Sequence, residues 1–150
     1  MGTDGVVIQE LDGGTQSLRL AVDLPGLTQA DLWRAWTDPA RLAAWWPPVA
    51  KVDLRVAGSY RFSWPAMGWH LRGVYQVIKA PRLLKFTWRW DHEPAMPERV
   101  VTVELVPLAA GGTRVVVTHG SYGDGPVEAE ERAGHLAGWK QFIPRLATMP

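Results

Sequence analysis

The sequence predicts an α+β fold: a curved antiparallel sheet of about seven strands wrapped around a long C-terminal helix, with two short helices after the N-terminal strand. Three observations predict it. Between Val49 and Gly120 apolar residues recur at a period of two, broken only by turn signals. From Pro126 to Ala147 the period becomes helical. Large aromatic residues collect on one face of the strands, and a twisted sheet buries such a face by curling around a partner.

The elements follow in order. Val6 to Glu10 and Ser17 to Asp23 flank Asp12-Gly13-Gly14, which reads as a hairpin, and Leu24-Pro25-Gly26 ends it. Thr28 followed by Asp31 is an N-cap with an acidic first turn, and Leu32, Trp33 and Trp36 give the first short helix its apolar face. Asp38-Pro39 opens the second helix, carrying Leu42, Ala43, Trp45 and Trp46 until Pro47-Pro48 stops it. Val52 and Leu54 then alternate with charged residues, followed by Tyr60, Phe62 and Trp64. Trp69, Leu71, Tyr75 and Val77 share a face with Gly73, whose bare backbone suggests a bulge or bend. Leu84, Phe86, Trp88 and Trp90 form the clearest half-buried strand. Two further strands centre on Val103 and Val115, and the short connections make the sheet antiparallel. In the final helix Arg132, Leu136, Trp139, Ile143 and Leu146 keep one stripe, flanked by His135 and Phe142. Pro144 should bend its last turn, because it cannot donate to the carbonyl of Lys140.

Composition narrows the function. A chain of 150 residues fits one domain, 1–150, burying roughly two thirds of its unfolded surface. Sixteen basic and 15 acidic residues are interspersed, which gives no footprint for nucleic acid or an anionic membrane. The absence of cysteine removes thiolate chemistry and disulfides, and neither HExxH nor a helical histidine pair exists, so no metal and no cofactor is expected. No apolar run reaches membrane-span length, and the first residues match neither a signal peptide nor a myristoylation site; a cytoplasmic protein is expected. Nine tryptophans, each burying on the order of 150–250 Å², exceed ordinary packing needs in so short a chain and hint at a lined cavity.

The run Leu32-Trp33-Arg34-Ala35-Trp36-Thr37-Asp38-Pro39, then Ala44-Trp45-Trp46 with Pro48, then Val52-Asp53-Leu54-Arg55 with Gly58 and Tyr60-Arg61-Phe62, resembles the START-like helix-grip superfamily (SRPBCC). Within it, the chain is similar to homologues of the heat-shock-chaperone ATPase activator. Phe86-Thr87-Trp88, Val101-Thr102-Val103-Glu104-Leu105, Gly112-Thr113-Arg114, Thr118-His119-Gly120 and Gly138-Trp139 continue the likeness, in order, to about Ala147. Ala57 and Pro47 stand where the family often has glycine, and Pro144 is unexpected in the final helix. The resemblance implies a helix-grip fold and a cavity between sheet and helix. It leaves activity open, since the superfamily houses lipid and hormone binders, polyketide cyclases and resistance proteins.

The expected cavity residues are Trp45, Phe62, Trp64, Trp69, Tyr75, Phe86, Trp88, His119, Arg132, His135 and Trp139. Plain core packing accounts for part of this set, above all Phe62, Phe86 and Trp139. Arg132 could orient a ligand carboxylate or enolate, or could be a surface arginine laying its stem on the fold. His119 faces inward at a strand end and is the one candidate general base; a satisfied buried histidine is the ordinary alternative. His70 and His92 read as surface residues. The Gly120–Gly125 stretch, GSYGDG, reads as a flexible connection near the cavity. Three functions follow: non-covalent binding of a small hydrophobic or aromatic molecule, a cyclase- or hydrolase-type enzyme using His119 or Tyr75 in the same cavity, or a module that modulates a chaperone ATPase. A homodimer stays open.

Overall fold

The computed structural model describes residues 6–14 and 16–149; residues 1–5, where a leader or acylation signal would begin, lie outside them. The period-two region resolves into six strands: β3 (Val49–Val52), β4 (Ser59–Trp64), β5 (Trp69–Lys79), β6 (Leu83–Trp90), β7 (Arg99–Pro107) and β8 (Thr113–Gly120). With the hairpin β1 (Ile8–Leu11) and β2 (Ser17–Leu24), they form one antiparallel sheet of eight strands in the order β1-β2-β8-β7-β6-β5-β4-β3. The meander therefore closes back on the N-terminal hairpin, with β2 paired to β8 over its whole length.

The two short helices are α1 (Gln29–Thr37) and α2 (Pro39–Trp45). α1 starts in a reciprocal capping box: Asp31 N–H donates to Thr28 Oγ1, and Thr28 N–H donates to the Asp31 carboxylate, each at 3.0 Å. Asp38 ends α1 and precedes α2 without a side-chain cap bond, while Pro39 occupies the first turn of α2, where no N–H is needed. Gln29 Nε2 donates to the Leu105 carbonyl at 2.8 Å, and Thr113 Oγ1 donates to the Leu27 carbonyl at 2.9 Å, tying this corner to β7 and β8.

The long helix α3 (Pro126–Phe142) is followed by a 3₁₀ stretch, Ile143–Thr148. The expected bend at Pro144 takes this form: the chain tightens one residue before the proline, and Ile143 and Leu146 remain fully buried. Lys140 pairs with Glu10 on β1, and Arg132 donates to the Ser17 carbonyl at 3.1 Å, so α3 is fastened to the N-terminal hairpin.

Two strand expectations are corrected. β3 stops at Val52 and leaves Leu54 40% exposed, because the chain turns from Asp53 to Gly58 to reach β4. The register of β5 on β6 shifts between Tyr75 and Val77, so Ile78, not Val77, packs against the core. Gly73 lies outside that bulge. Its bare backbone admits the Thr87 carbonyl, since a Cβ there would stand 2.1 Å from that oxygen.

The core has two characters. Around β2, β7 and β8 it is aliphatic, with Leu18, Leu20, Val22, Val103, Leu105, Val115 and Val117 buried. Around β4, β5, β6 and the short helices it is aromatic, with Trp36, Trp45, Tyr60, Phe62, Tyr75 and Phe86 enclosed. Among the described residues no helix is long and apolar enough to cross a membrane.

Candidate functional site

Where α3 passes over the aromatic half of the sheet, the two do not close. A groove of about 760 Å³ lies between them, walled by Trp46, Trp64, Trp69, Trp88, Trp90 and Trp139. α3 presents Gly134 and Gly138 to this space, and without side chains they leave the gap unfilled. Met67 follows β4 and Met96 lies in the β6–β7 loop; the two thioethers line the groove from these connections.

The rings form one connected surface. Trp46 stacks on Trp88 with centroids 5.8 Å apart and planes 19° apart, and it also meets Trp139 at 5.1 Å. Trp88 meets Trp90 edge-on at 5.6 Å; Trp90 continues to Trp64 at 5.4 Å and to Trp69 at 6.0 Å. His92, at the surface as expected, stacks on Trp69 at 5.0 Å and 18°. Such offset and edge-on pairs add about 0.5–1.5 kcal/mol each beyond area burial.

One end of the groove is polar and tightly wired. Arg99, at the start of β7, is 1% exposed and donates to the Ser121 carbonyl at 2.6 Å, to Glu131 at 3.3 Å and to both carboxylate oxygens of Glu128. Its guanidinium also lies 4.7 Å from the centre of the Tyr122 ring. Tyr122 Oη lies 2.7 Å from His135 Nδ1, and His135 Nε2 lies 3.7 Å from Glu131 Oε1. The carboxylate favours a proton on Nε2, so the tyrosine hydroxyl donates to Nδ1. Burial, and then the nearby Arg99 charge, push the His135 imidazole down to about 4.

His119 stacks on His135 at 4.4 Å and is fully buried; Trp139 Nε1–H donates to its Nδ1 at 3.0 Å. Burial, then the neighbouring His135 and Arg99, hold His119 well below the usual imidazole range. Neutral, and accepting at Nδ1, it carries its proton on Nε2, which has no partner. Trp88 Nε1 and Glu131 Oε2 are likewise buried without a partner.

The structure therefore divides the expected cavity residues. Trp64, Trp69, Trp88, His135 and Trp139 line the groove. Trp45, Phe62, Tyr75 and Phe86 are packed into the aromatic core instead; Trp45 Nε1 donates to the Ala35 carbonyl at 2.7 Å, and the Phe62, Tyr75 and Phe86 rings border a closed seam too small for a water molecule. Arg132 turns to the β2 end and bonds the Ser17 carbonyl, away from the groove lining. His119 is not in the groove lining and sits behind the Trp88, His135 and Trp139 rings.

Trp46, Trp90, Glu131 and Phe142 also line the groove, outside the set of expected cavity residues. Sequence signals for two existed: Glu131 and His135 are four apart on a helix, and Trp90 shares the parity of Trp88. Arg99 has the parity of Val101 and Val103, so an inward arginine demanded buried partners. Trp46 leaves the α2 stripe because it is the C-cap, with φ −129° and ψ −94°.

Fold and groove together define a helix-grip domain with an aromatic cleft between its curved sheet and C-terminal helix. The sequence matches the family model "Activator of Hsp90 ATPase homolog 1-like protein" over residues 27–149, and the chain belongs to that family. Membership supports a ligand-binding or chaperone-modulating module. Among solved structures, a Rhodobacter sphaeroides protein superposes with TM-score 0.76 at 22% identity, covering 95% of this chain and 97% of that one. A Chromobacterium violaceum protein gives 0.72 at 27% identity, with 90% and 96% covered. An HSP90 activator from Plasmodium falciparum gives 0.69 at 20% identity, with 89% and 94% covered. Comparison with curated proteins returns no match. Among the described residues no histidine, aspartate and glutamate cluster could hold a metal ion.

Proposed function

We propose that the protein binds a small hydrophobic or aromatic molecule, without covalent chemistry, in the groove between the curved sheet and α3. The observation that carries this reading is a cleft of about 760 Å³ walled by six tryptophans. Ligand sites typically span about 300–1,000 Å³, mostly apolar with a few fixed polar groups, and here His135 and Glu131 are those groups. Packing alone gives no reason to leave such rings facing an open space. Native mass spectrometry of gently purified protein, with thermal-shift screening of a lipophilic library, tests it. Retained or stabilising small molecules are expected; protein that is ligand-free and unshifted throughout would overturn the reading.

Family membership and the likeness to the Plasmodium activator favour a second reading, modulation of a chaperone ATPase. Stimulation of the cognate chaperone's ATPase by this chain would establish it, and the lack of both stimulation and pull-down would end it. Acid–base catalysis has less behind it. The one accepting nitrogen of His119 is already taken by Trp139, and burial raises the Tyr75 hydroxyl far above the range in which it could act as a base.

A further inference from the structure

We infer that the molecule taken up by this groove is an organic cation, an amine or quaternary ammonium carried on an aromatic or apolar body. This rests on the groove being a ligand site and adds the sign of the ligand's charge. The aromatic walls supply the first part. Indole faces carry negative potential and attract alkylammonium groups, most strongly where water is excluded.

The charged residues supply the second, independent part. Among the described residues the lining contains three carboxylates, Glu93, Glu130 and Glu131, and neither lysine nor arginine. In a chain with 16 basic and 15 acidic residues, that segregation is local to the groove. The Glu131 side chain is only 9% exposed, and its Oε2 is buried with no hydrogen-bond partner. A buried carboxylate left short of compensation is costly unless a donor or a cation reaches it. Among the described residues, Arg99 and Arg145 reach lining residues, and both are committed. Arg99 serves two carboxylates, Glu128 and Glu131, and so cannot neutralise both. Arg145 places its guanidinium 4.8 Å from the centre of the Phe142 ring, which is the pairing proposed for the ligand already built into the rim. An anionic ligand would face Glu93 and Glu130, which no lysine or arginine of the lining offsets; a neutral one would forgo the attraction of the carboxylates and indole faces.

Isothermal titration calorimetry with three probes of one shape tests this: naphthylmethyl-trimethylammonium, naphthylmethanol and naphthoate. The cation is expected to bind about tenfold tighter than the alcohol, and naphthoate more weakly than either. Raising salt should narrow the gap. A Glu93→Gln/Glu130→Gln double variant alters only solvent-reaching side chains and should fold normally; it should lower cation affinity at least threefold and leave alcohol affinity unchanged. Glu131→Gln, checked for folding by thermal unfolding, should likewise lower cation affinity at least threefold. Equal binding of the three probes, preference for naphthoate, or a cation preference that survives in both variants would overturn the inference while leaving the groove as a ligand site. Failure of every probe to bind would count against the ligand-site reading itself.

Discussion

The same residue type does two different jobs in two neighbouring regions. Trp36 and Trp45, on the short helices, are 2% and 1% exposed, and the Trp45 N–H is satisfied by a backbone carbonyl. Trp64, Trp69 and Trp90, on the strands beneath α3, have comparable ring-to-ring contacts but border open space, and Trp69 is 38% exposed. What differs is the element opposite. Leucines and packed indoles close over the first pair, whereas α3 offers Gly134 and Gly138 to the second. Stability and binding should therefore separate between the two regions.

The largest effect should come from the closed region. Trp45→Ala should cost about 3–5 kcal/mol in urea unfolding, and a cost below 1 kcal/mol would show that the short helices are not packed as described. Next is the histidine pair at the polar end of the groove. Unfolded histidines titrate near 6.5, whereas burial pushes folded His135 down to about 4 and holds His119 well below its usual range. Between these values the unfolded chain binds protons that the folded one does not, so stability is complete above pH 6.5 and falls as pH drops towards 4. For His135 alone the loss is on the order of 3 kcal/mol. Denaturation midpoints at several pH values should show this slope, and His135→Gln should reduce it; an unchanged slope would remove the assignment.

A smaller effect sharpens the contrast from the open side. Trp69→Ala should change stability by about 1 kcal/mol or less, because the ring already faces solvent, yet weaken ligand binding about tenfold. Equal losses in Trp45→Ala and Trp69→Ala would erase the distinction between the regions. The smallest concerns Ala57, which sits at φ 66°, a left-handed conformation that glycine tolerates better. Ala57→Gly should raise stability by about 0.5 kcal/mol, measurable as a higher urea midpoint.

Much of the fold was legible because period and punctuation act locally. The capping box at Thr28, the stop at Pro47-Pro48 and the strand from Leu84 to Trp90 all lie where side-chain spacing places them. The departures arise where one residue changes parity or direction. The bulge after Tyr75 exchanges Val77 for Ile78, and the cap geometry of Trp46 takes it off its helix stripe. The site was half legible for a different reason. Alternation says which face a residue occupies but not what stands opposite it. Phe62 and Trp64 share a strand face; one is sealed and the other lines the groove, according to how far α3 stands from the sheet. Arg132 misled because its stripe position was right while its long side chain reaches back to β2.

The stacked Trp46–Trp88 pair has an optical consequence. Indole rings with centroids 5.8 Å apart and planes 19° apart, each with a further indole within 6 Å, do not absorb independently. Their excited states mix, and a fixed chiral arrangement converts that mixing into paired bands of opposite sign in circular dichroism. Any guest that wedges against Trp88 alters the coupling geometry, so the rings that would hold a molecule also signal its arrival without a label.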